Sequence, residues 1–372
     1  MAKSSFKADQ VGSLLRPDFL LKARRDYKLG SIDDKALRAV EDAAVDEVLR
    51  MQESVQIGVV TDGEYRRAHF FVVGSDALEG LERAKAELIW HGPEGTVRAS
   101  NTNWRVTGKI RLKGRLAQGE ANFLTSHTDR PIKICLPSPG FLVSQLAEPS
   151  GNDTPYEDLK QVAEALSCII RSEIEALFAQ GVSYVQLDSP GYTKFLDAKQ
   201  RARLLDSGRN PDKLLAEMLA ADAATLQGIQ RPANCRIGMH LCRGNQSSRW
   251  LSEGSYEPIA EQLFNSLPVD RFLLEFDDER SGDLSALRLM PKDKEVALGL
   301  ITTKSGRLED RDRILSRIDE ASKFVDGDRL AVSPQCGFAS DAESGNHLSW
   351  DDQRRKLDLV VEVAKKWWSE DL

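Results

Sequence analysis

Residues 154–188 read TPYEDLKQVAEALSCIIRSEIEALFAQGVSYVQLD. The first part carries apolar residues at three- and four-residue spacing and ends on a glycine, which is typical of an amphipathic helix with a glycine C-cap. The second part, from Gly181 to Asp188, is a short β-type run that ends in a polar residue. The stretch therefore predicts a helix that leads directly into a strand.

The same alternation of β-type runs and helical periodicity recurs along the chain. The eight β-type runs are ADQVGS (8–13), IGVVTD (57–62), PIKICL (131–136), GVSYVQLD (181–188), CRIGMHLC (235–242), RFLLEFD (271–277), EVALGLI (295–301) and RLAVSPQC (329–336). They predict an α/β fold of the (β/α)8 TIM barrel type, with residues 1–372 as a single catalytic domain. A doubly wound open sheet is the alternative, because βα periodicity does not by itself prove closure.

Three stretches add detail to this repeat. Residues 75–130 are far longer than a usual connection, and TVRAS and WRVTGKIRLKG within them alternate as antiparallel strands do. We interpret them as a β-hairpin inserted after strand two. Residues 281–294 hold at most a brief helix, so the barrel is expected to be thin there. A helix is predicted over residues 31–54, with Ser31 as its cap.

Composition limits the function classes. The 372 residues carry a net charge of −7 with acids and bases interleaved, so no basic stripe indicates nucleic-acid binding. The chain has neither an apolar signal core nor a run long enough to span a bilayer, which predicts a cytoplasmic protein without a membrane partner. Its five cysteines are irregularly spaced, as expected in a reducing compartment. We expect small-molecule chemistry.

Three predicted strands end in metal-ligand side chains. His240 and Cys242 end the fifth strand, and Cys336 ends the eighth. All strands of a barrel deliver their carboxyl ends to one face, and alternate residues of a strand point to the same side. Imidazole and thiolates suit zinc, and three protein ligands leave an open position, as in catalytic sites. Glu275, at the end of the sixth strand, is the natural oxygen donor for the fourth position.

Two alternatives compete with a zinc site at these residues. A cysteine near a strand end is commonly a small buried hydrophobe, and an isolated HxC pattern occurs by chance. In the second alternative, Cys336 is a nucleophile with His240 as its base, an arrangement used in acyl transfer. The nucleophile hypothesis leaves Cys242 without a role.

A second group of polar residues lies at the other predicted strand ends. Asp188 is expected to pair with the ammonium group of an amino-acid substrate. Asp62 and Glu64 end the second strand, where carboxylates also serve as helix caps, and Ser13 follows the first. The loop CRGNQSSRW adds Arg243, Asn245 and Arg249, which either meet a substrate carboxylate or decorate the loop.

Several motifs together resemble the cobalamin-independent methionine synthase family, specifically its zinc-bearing catalytic domain and the shorter single-domain proteins similar to it. They are VGSLLRP, VVTDGEYRR, VQLDSPG, HLCRGN, LLEFDDERSG, VALGLITTKSGRLED and SPQCGF, in family order along most of the chain. The resemblance implies a barrel in which His240, Cys242, Glu275 and Cys336 hold zinc. It also implies that Ser13, Glu64 and Asp188 grip homocysteine.

The chain departs from the family pattern in several places. Full-length members carry a second, N-terminal barrel that helps to hold the polyglutamylated folate, and this chain is long enough for one barrel only. Gln335 stands where the family has Asp, Ser189 replaces an acid, and Arg243-Gly244 replaces a tyrosine-serine pair. Such changes are typical of the short relatives, so the methyl donor is open.

The predicted function is a zinc-dependent thiol alkyltransferase that transfers methyl from methyltetrahydrofolate or another donor to homocysteine, giving methionine. A free thiol with a pKa near 8.5 is only about 3% ionised at pH 7, and zinc would ionise it fully. The alternatives are an epoxide-opening thiol-cofactor transferase with the same zinc motif, a non-catalytic zinc- or thiol-binding barrel, and a zinc-free decarboxylase-type barrel. An oligomer is compatible with the sequence.

Overall fold

The strands form two sheets in a computed structural model that describes residues 6–70, 77–146, 155–339 and 347–369. An antiparallel hairpin consists of β1 (Leu78–Gly92) and β2 (Gly95–Leu112). A parallel sheet has the order β3 (Lys133–Pro137), β4 (Tyr184–Asp188), β5 (Arg236–Leu241), β6 (Arg271–Glu275), β7 (Glu295–Ile301) and β8 (Leu330–Pro334). These six strands are the third to eighth predicted strands. The hairpin lies within the predicted residues 75–130, but TVRAS and WRVTGKIRLKG were wrong as two separate strands, since both fall in β2 and the partner strand is β1.

The first two predicted strands are not regular strands, which corrects the expectation of eight. Ala8 makes a single parallel bridge to Val332 in β8, and Val60 makes one to Ile132, just before β3. The Gly58 N–H donates to the Ala8 carbonyl at 3.0 Å and joins the two segments. Gly12, with φ +142°, then turns the chain out of the extended conformation. These isolated backbone contacts therefore connect β8 to β3 through the segments at Ala8 and Val60. The six strands together with these two segments are called the ring below.

Helices follow the strands and pack on the outside of the sheet. They are α1 (Asp18–Lys28), α2 (Asp34–Val55), α3 (Gln118–His127), α4 (Pro139–Ser144), α5 (Leu159–Ala179), α6 (Ala198–Asp206), α7 (Pro211–Leu226), α8 (Glu257–Ser266), α9 (Arg311–Ala321) and α10 (Trp350–Trp368). No helix in the described ranges combines the length and apolarity needed to cross a bilayer.

Two helix ends and one connection test three predictions. The N-cap of α2 is Asp33, whose side chain accepts from the Ala36 N–H, so the prediction of Ser31 was wrong by two residues. Gly181, with φ +95°, follows the end of α5 as predicted. Between β6 and β7 the predicted thin side is confirmed, since it holds short 3-10 helices such as Ser285–Leu289.

Buried charges lie at the amino ends of the strands. Lys133 at the start of β3 and Arg271 at the start of β6 both contact Asp9, at 2.6 and 2.9 Å. All three side chains are almost completely buried. Removing one partner of such a network leaves an uncompensated charge, which makes the network a structural element. The carboxyl ends of the strands lie at the opposite end of the ring, where functional sites of this fold class are found.

The hairpin covers the carboxyl ends of the strands on one side. His91 in β1 bridges Trp250, and Trp104 in β2 bridges Leu146 after α4. Trp104 also belongs to a separate apolar cluster that includes Phe141 of α4. The hairpin is therefore anchored against the loops that follow β3 and β5.

Candidate metal and thiol site

Four ligand atoms converge at the carboxyl ends of β5, β6 and β8. His240, Cys242, Glu275 and Cys336 each offer one nitrogen, sulfur or oxygen, and these atoms all lie within 4.8 Å of one another. Cys242 is partly exposed and the other three side chains are buried. The structure thus brings together all four residues that the sequence predicted as one metal site.

His240 is oriented by the neighbouring strand. Its Nδ1 lies 3.4 Å from the Leu273 carbonyl, so Nδ1–H donates there and Nε2 is the nitrogen that remains for a ligand. Nε2 is buried and has no hydrogen-bond partner among the described residues. Burial lowers the pKa of His240, but the close approach and negative charge of Cys242 outweigh it and raise the pKa to about 9. An unpartnered buried nitrogen among thiols fits a site that a metal completes.

The two cysteine sulfurs form the centre of the cluster. Cys242 Sγ lies 3.3 Å from Cys336 Sγ, and the Gly244 N–H donates to Cys242 Sγ at 3.2 Å. The hydrogen bond from Cys336 holds the pKa of the Cys242 thiol well below its usual range. The same bond raises the pKa of Cys336. Without a metal, the pair therefore favours one thiolate and one thiol.

Glu275 is held by groups on both sides of its carboxylate. The Arg243 N–H donates to Oε1 at 2.7 Å, and Gln335 Nε2 lies 3.4 Å from Oε2. Burial, followed by the charge of Cys242, raises the pKa of Glu275 to about 7. A bound cation would reverse this shift. Imidazole, two thiols and a carboxylate are the donor set that zinc prefers.

A second cluster lies across the same cavity. Glu64, Cys135 and Asp188 place one potential ligand atom each within 4.8 Å of one another, and all three are buried. Burial raises the pKa of Glu64 to about 8 and that of Asp188 to about 6. Two carboxyl groups in a desolvated wall are suited to an ammonium group, which would stabilise both carboxylates.

Polar neighbours fix these carboxylates in place. Gln186, two residues earlier on β4, donates to Asp188 Oδ1 at 2.8 Å and accepts from Lys133 Nζ at 3.0 Å. Arg67 lies 3.6 Å from Glu64. Asp188 is thus connected to the buried charge network at the other end of the ring.

One cavity of about 120 Å³ joins the two clusters. Its polar lining includes Ser13, Glu64, Asp188, His240, Cys242 and Cys336. Apolar side chains complete the wall, among them Leu88 and Trp90 from β1 and Phe141 from α4. The inserted hairpin is therefore part of the site.

Of the remaining candidates from the sequence, one lines the cavity and three do not. Asn245 lines the cavity and donates to the Gly337 carbonyl at 2.7 Å. Asp62 accepts from the Glu64 N–H at 2.9 Å within a turn, so the alternative of a helix cap was wrong because no helix begins there. The guanidinium of Arg243 is buried and stacks over Tyr256, 4.6 Å from the ring centroid, so it does not face the cavity. Arg249 is outside the cavity lining.

Sequence reasoning missed residues that surround the site. Gln186 carried a signal, since it precedes Asp188 by two and so shares its face of β4. Cys135 was counted only as a free cysteine. Lys304, whose Nζ donates to the carbonyls of Gly244 and Arg249 at 2.7 and 3.2 Å, lies in the motif VALGLITTKSGRLED but was given no role.

Known proteins are similar to this chain over most of its length. The family model described as "Cobalamin-independent synthase, Catalytic domain" matches residues 7–366. The chain belongs to this family. Uncharacterized protein YxjG of Bacillus subtilis (strain 168) is 35% identical over 370 residues, which cover 98% of this chain and 96% of that protein. A methionine synthase of Pyrococcus abyssi is 25% identical over 88% of this chain and 85% of its own length.

A solved structure supports the same assignment. A Listeria monocytogenes protein described as a vitamin-B12-independent methionine synthase superposes with a TM-score of 0.74 and 28% identity, and the match covers 100% of both chains. The resemblance and the α/β barrel class predicted from the sequence are both confirmed. The chain is accordingly an enzyme of the cobalamin-independent methyltransferase type.

Proposed function

We propose that the chain is a zinc-dependent methyltransferase that methylates the sulfur of homocysteine to give methionine. The observation that carries the proposal is the pair of clusters on one cavity, four ligand atoms within 4.8 Å on one side and two buried carboxyl groups on the other. The first cluster suits a thiol-activating metal, and the second suits an ammonium group. Homocysteine carries both functional groups.

One group of residues would bind the metal and another the amino acid. His240, Cys242, Glu275 and Cys336 would hold the zinc, which, when bound, supplies a Lewis acid that ionises a thiol at neutral pH. Glu64 and Asp188 bind the amino group and fix the direction of the sulfur. Ser13, on the cavity wall, offers a hydroxyl to the same amino acid.

The apolar wall serves the methyl donor. Leu88, Trp90 and Phe141 exclude water from the space beside the thiol, which suits a flat, largely apolar donor such as a methyltetrahydrofolate. Alignment of the methyl carbon with the sulfur is a positioning task, and positioning in enzymes is worth several kcal/mol of barrier, up to roughly 10.

A substrate comparison separates methyl transfer from the epoxide-opening alternative. Zinc-loaded protein is supplied with homocysteine and a panel of methyl donors, and in parallel with a thiol lacking an amine plus a short-chain epoxide. We expect methionine in the first reaction and no ring opening in the second. Thioether formation only from the epoxide would overturn the assignment, and zinc binding without either product would indicate a non-catalytic barrel.

Gln335 is expected to tune the zinc site. Its Oε1 accepts from the Thr303 hydroxyl at 2.6 Å, which orients its Nε2 toward Glu275. Gln335→Met should weaken zinc binding by about ten-fold, because groups that orient metal ligands contribute at this level. Chelator competition measures the affinity. Thr303→Val, which removes only one support of Gln335, should have a smaller effect, and equal affinities in all three proteins would contradict the role.

Gly337 is expected to leave space for the Ser13 hydroxyl in its observed position. A Cβ at this position would lie 1.9 Å from Ser13 Oγ, so Gly337→Ala must displace the hydroxyl. We expect the KM for homocysteine to rise about ten-fold, the equivalent of one hydrogen bond, with bound zinc unchanged. Ser13→Ala should match it. Loss of zinc from Gly337→Ala with a normal Ser13→Ala enzyme would show that the glycine serves Cys336 instead.

A further inference from the structure

Transfer of a methyl group from an amine requires a proton that the residues assigned so far do not supply. When the carbon–nitrogen bond breaks, its electrons stay on the nitrogen. A neutral amine would therefore leave as a strongly basic anion unless an acid protonates it during the transfer. Displacement also needs the sulfur, the methyl carbon and the leaving nitrogen in line, so the acid belongs on the side of the cavity away from the metal.

The cavity lining offers one group of this kind. Apart from the metal ligands and the residues assigned to homocysteine, the polar side chains of its described lining are Gln145, Asn245 and Lys194. Two of these are amides, which do not release a proton in the neutral range. The third carries an ammonium group, whose protons can be transferred to a leaving nitrogen.

Lys194 lies where the metal cavity meets a second, larger cleft. This cleft has a volume of about 850 Å³ and lies between the β1–β2 hairpin and helices α6 and α7. Lys194 lines both spaces, whereas none of the four metal ligands belongs to the described lining of the cleft. The lysine is therefore on the side of the cavity that faces away from the metal, where an in-line leaving nitrogen would lie.

A well-packed turn holds the lysine in this place. Lys194 belongs to the 3-10 helix Tyr192–Phe195, shortly after β4. The Thr193 hydroxyl donates to the Cys242 carbonyl at 2.8 Å, which connects the turn to a metal-ligand residue. The buried Tyr192 hydroxyl donates to Asp222 at 2.7 Å. The backbone at Lys194 is thus fixed relative to the metal cluster.

The Lys194 ammonium group is not committed to another partner. Within the described ranges its side chain makes neither a hydrogen bond nor an ion pair, and it is partly exposed to the two spaces. Burial, followed by the charge of neighbouring Arg209, lowers the pKa of Lys194 to about 8. An acid of this strength is largely protonated at neutral pH and still gives up its proton readily.

Other titratable groups share the two spaces with Lys194. They are Glu64, Asp188, His240, Cys242 and Cys336 in the cavity, and Glu87, Arg98, Arg203, Arg209, Lys213 and Glu217 in the cleft. Burial raises the pKa of Glu64 to about 8, which is close to the value for Lys194. A bound ammonium group would keep Glu64 ionised, so saturation with homocysteine separates the two titrations.

We propose that Lys194 is the general acid that protonates the leaving nitrogen of an amine methyl donor. The homocysteine thiolate forms a bond to the methyl carbon while the carbon–nitrogen bond breaks, and the electron pair of that bond takes a proton from the Lys194 ammonium group. The neutral lysine then regains a proton from water in the cleft. The inference rests on the proposed function in one respect, that the homocysteine thiolate accepts the methyl group.

Two methyl donors with different leaving groups test this role. 5-Methyltetrahydrofolate releases an amine nitrogen that needs a proton, whereas methyl iodide releases iodide, which needs none. Zinc-loaded full-length protein, saturated with homocysteine, is mixed with each donor, and methionine from a single turnover is measured across a range of pH. The variants are Lys194→Met, which removes the acid, and Lys194→Arg, which keeps the charge but stays protonated. Arg203→Gln removes a cation that lines the cleft alone and is the matched control.

The expected result is a loss confined to the amine donor. With 5-methyltetrahydrofolate, Lys194→Met should form methionine about 100-fold more slowly or worse, Lys194→Arg should not restore the rate, and Arg203→Gln should resemble the wild type. The wild-type rate should fall above a pH of about 8, where the lysine loses its proton, and Lys194→Met should lack this fall. With methyl iodide, all four proteins should react at similar rates.

Several results would overturn the proposal. Equal losses with both donors would show a structural role, full activity in Lys194→Arg would show that only the charge matters, and a normal Lys194→Met enzyme would show no role. If the wild type accelerates methylation by methyl iodide but never uses 5-methyltetrahydrofolate, the acid role is wrong while thiol activation stands. If homocysteine reacts no faster on the protein than in free solution with either donor, the proposed function fails as well.

Discussion

Cys336→Ser is expected to lower zinc affinity by more than about 100-fold and to reduce methionine formation accordingly. Groups that merely orient ligands contribute ten- to hundred-fold, and a ligand itself contributes more. Cys336 Sγ is buried and lies 3.3 Å from Cys242 Sγ, so the serine oxygen would occupy a similar position as a weaker donor. Excess zinc should therefore restore part of the turnover. Chelator competition and zinc-dependent rates measure both effects.

The same variant separates a ligand from a covalent nucleophile. If Cys336 attacked the substrate with His240 as base, the serine variant would lose turnover, keep its zinc and gain nothing from added metal. The wild-type enzyme would also accumulate a modified Cys336. Mass spectrometry of protein quenched during turnover reads this directly: the peptide containing SPQCGF should stay unmodified.

Asp188→Asn is expected to raise the KM for homocysteine by about 10- to 150-fold, with zinc content unchanged. The substitution keeps the shape and removes the charge that would pair with the amino group. A hydrogen bond to a charged group contributes about 1.5–3 kcal/mol. Gln186, which donates to Asp188 Oδ1 at 2.8 Å, can keep the asparagine in place through its oxygen. Steady-state kinetics of the two enzymes at saturating donor give the comparison.

A thiol without an amine is the matched control for this variant. 3-Mercaptopropionate offers sulfur and carboxylate only, so wild-type enzyme and Asp188→Asn should use it equally poorly. An Asn variant that handles homocysteine as the wild type does would remove the ammonium role from Asp188. It would point to a thiol that carries no amine.

The metal cluster could be predicted from the sequence because two simple regularities place it. Strand ends of a barrel meet at one face, and residues two apart on a strand share a side, so His240 and Cys242 converge with Glu275 and Cys336. Cys242 and Cys336 lie one and two residues beyond the ends of β5 and β8, so the strands still determine where they are. The distance of 94 residues between Cys242 and Cys336 was therefore no obstacle.

The rest of the site depends on contacts that periodicity does not encode. The cavity wall formed by Leu88 and Trp90 depends on how the hairpin lies over the ring, which its alternating pattern leaves open. Arg243 had two alternatives, a contact with a substrate carboxylate or a loop side chain. Its side chain stacks on Tyr256 while its backbone N–H donates to Glu275. The prediction of the first two strands was wrong for a similar reason. A pattern of apolar residues does not show how many residues of a segment form backbone hydrogen bonds with the neighbouring strand.

Titration of metal-free protein with zinc, followed by the rate of methionine formation from homocysteine and a competent methyl donor, tests the central claim most directly. We expect no activity without metal and a linear rise in rate that ends near one zinc per chain, because the four ligands form one site. A rate that does not depend on zinc would contradict the claim. So would the binding of one zinc per chain without methionine formation from homocysteine and any donor.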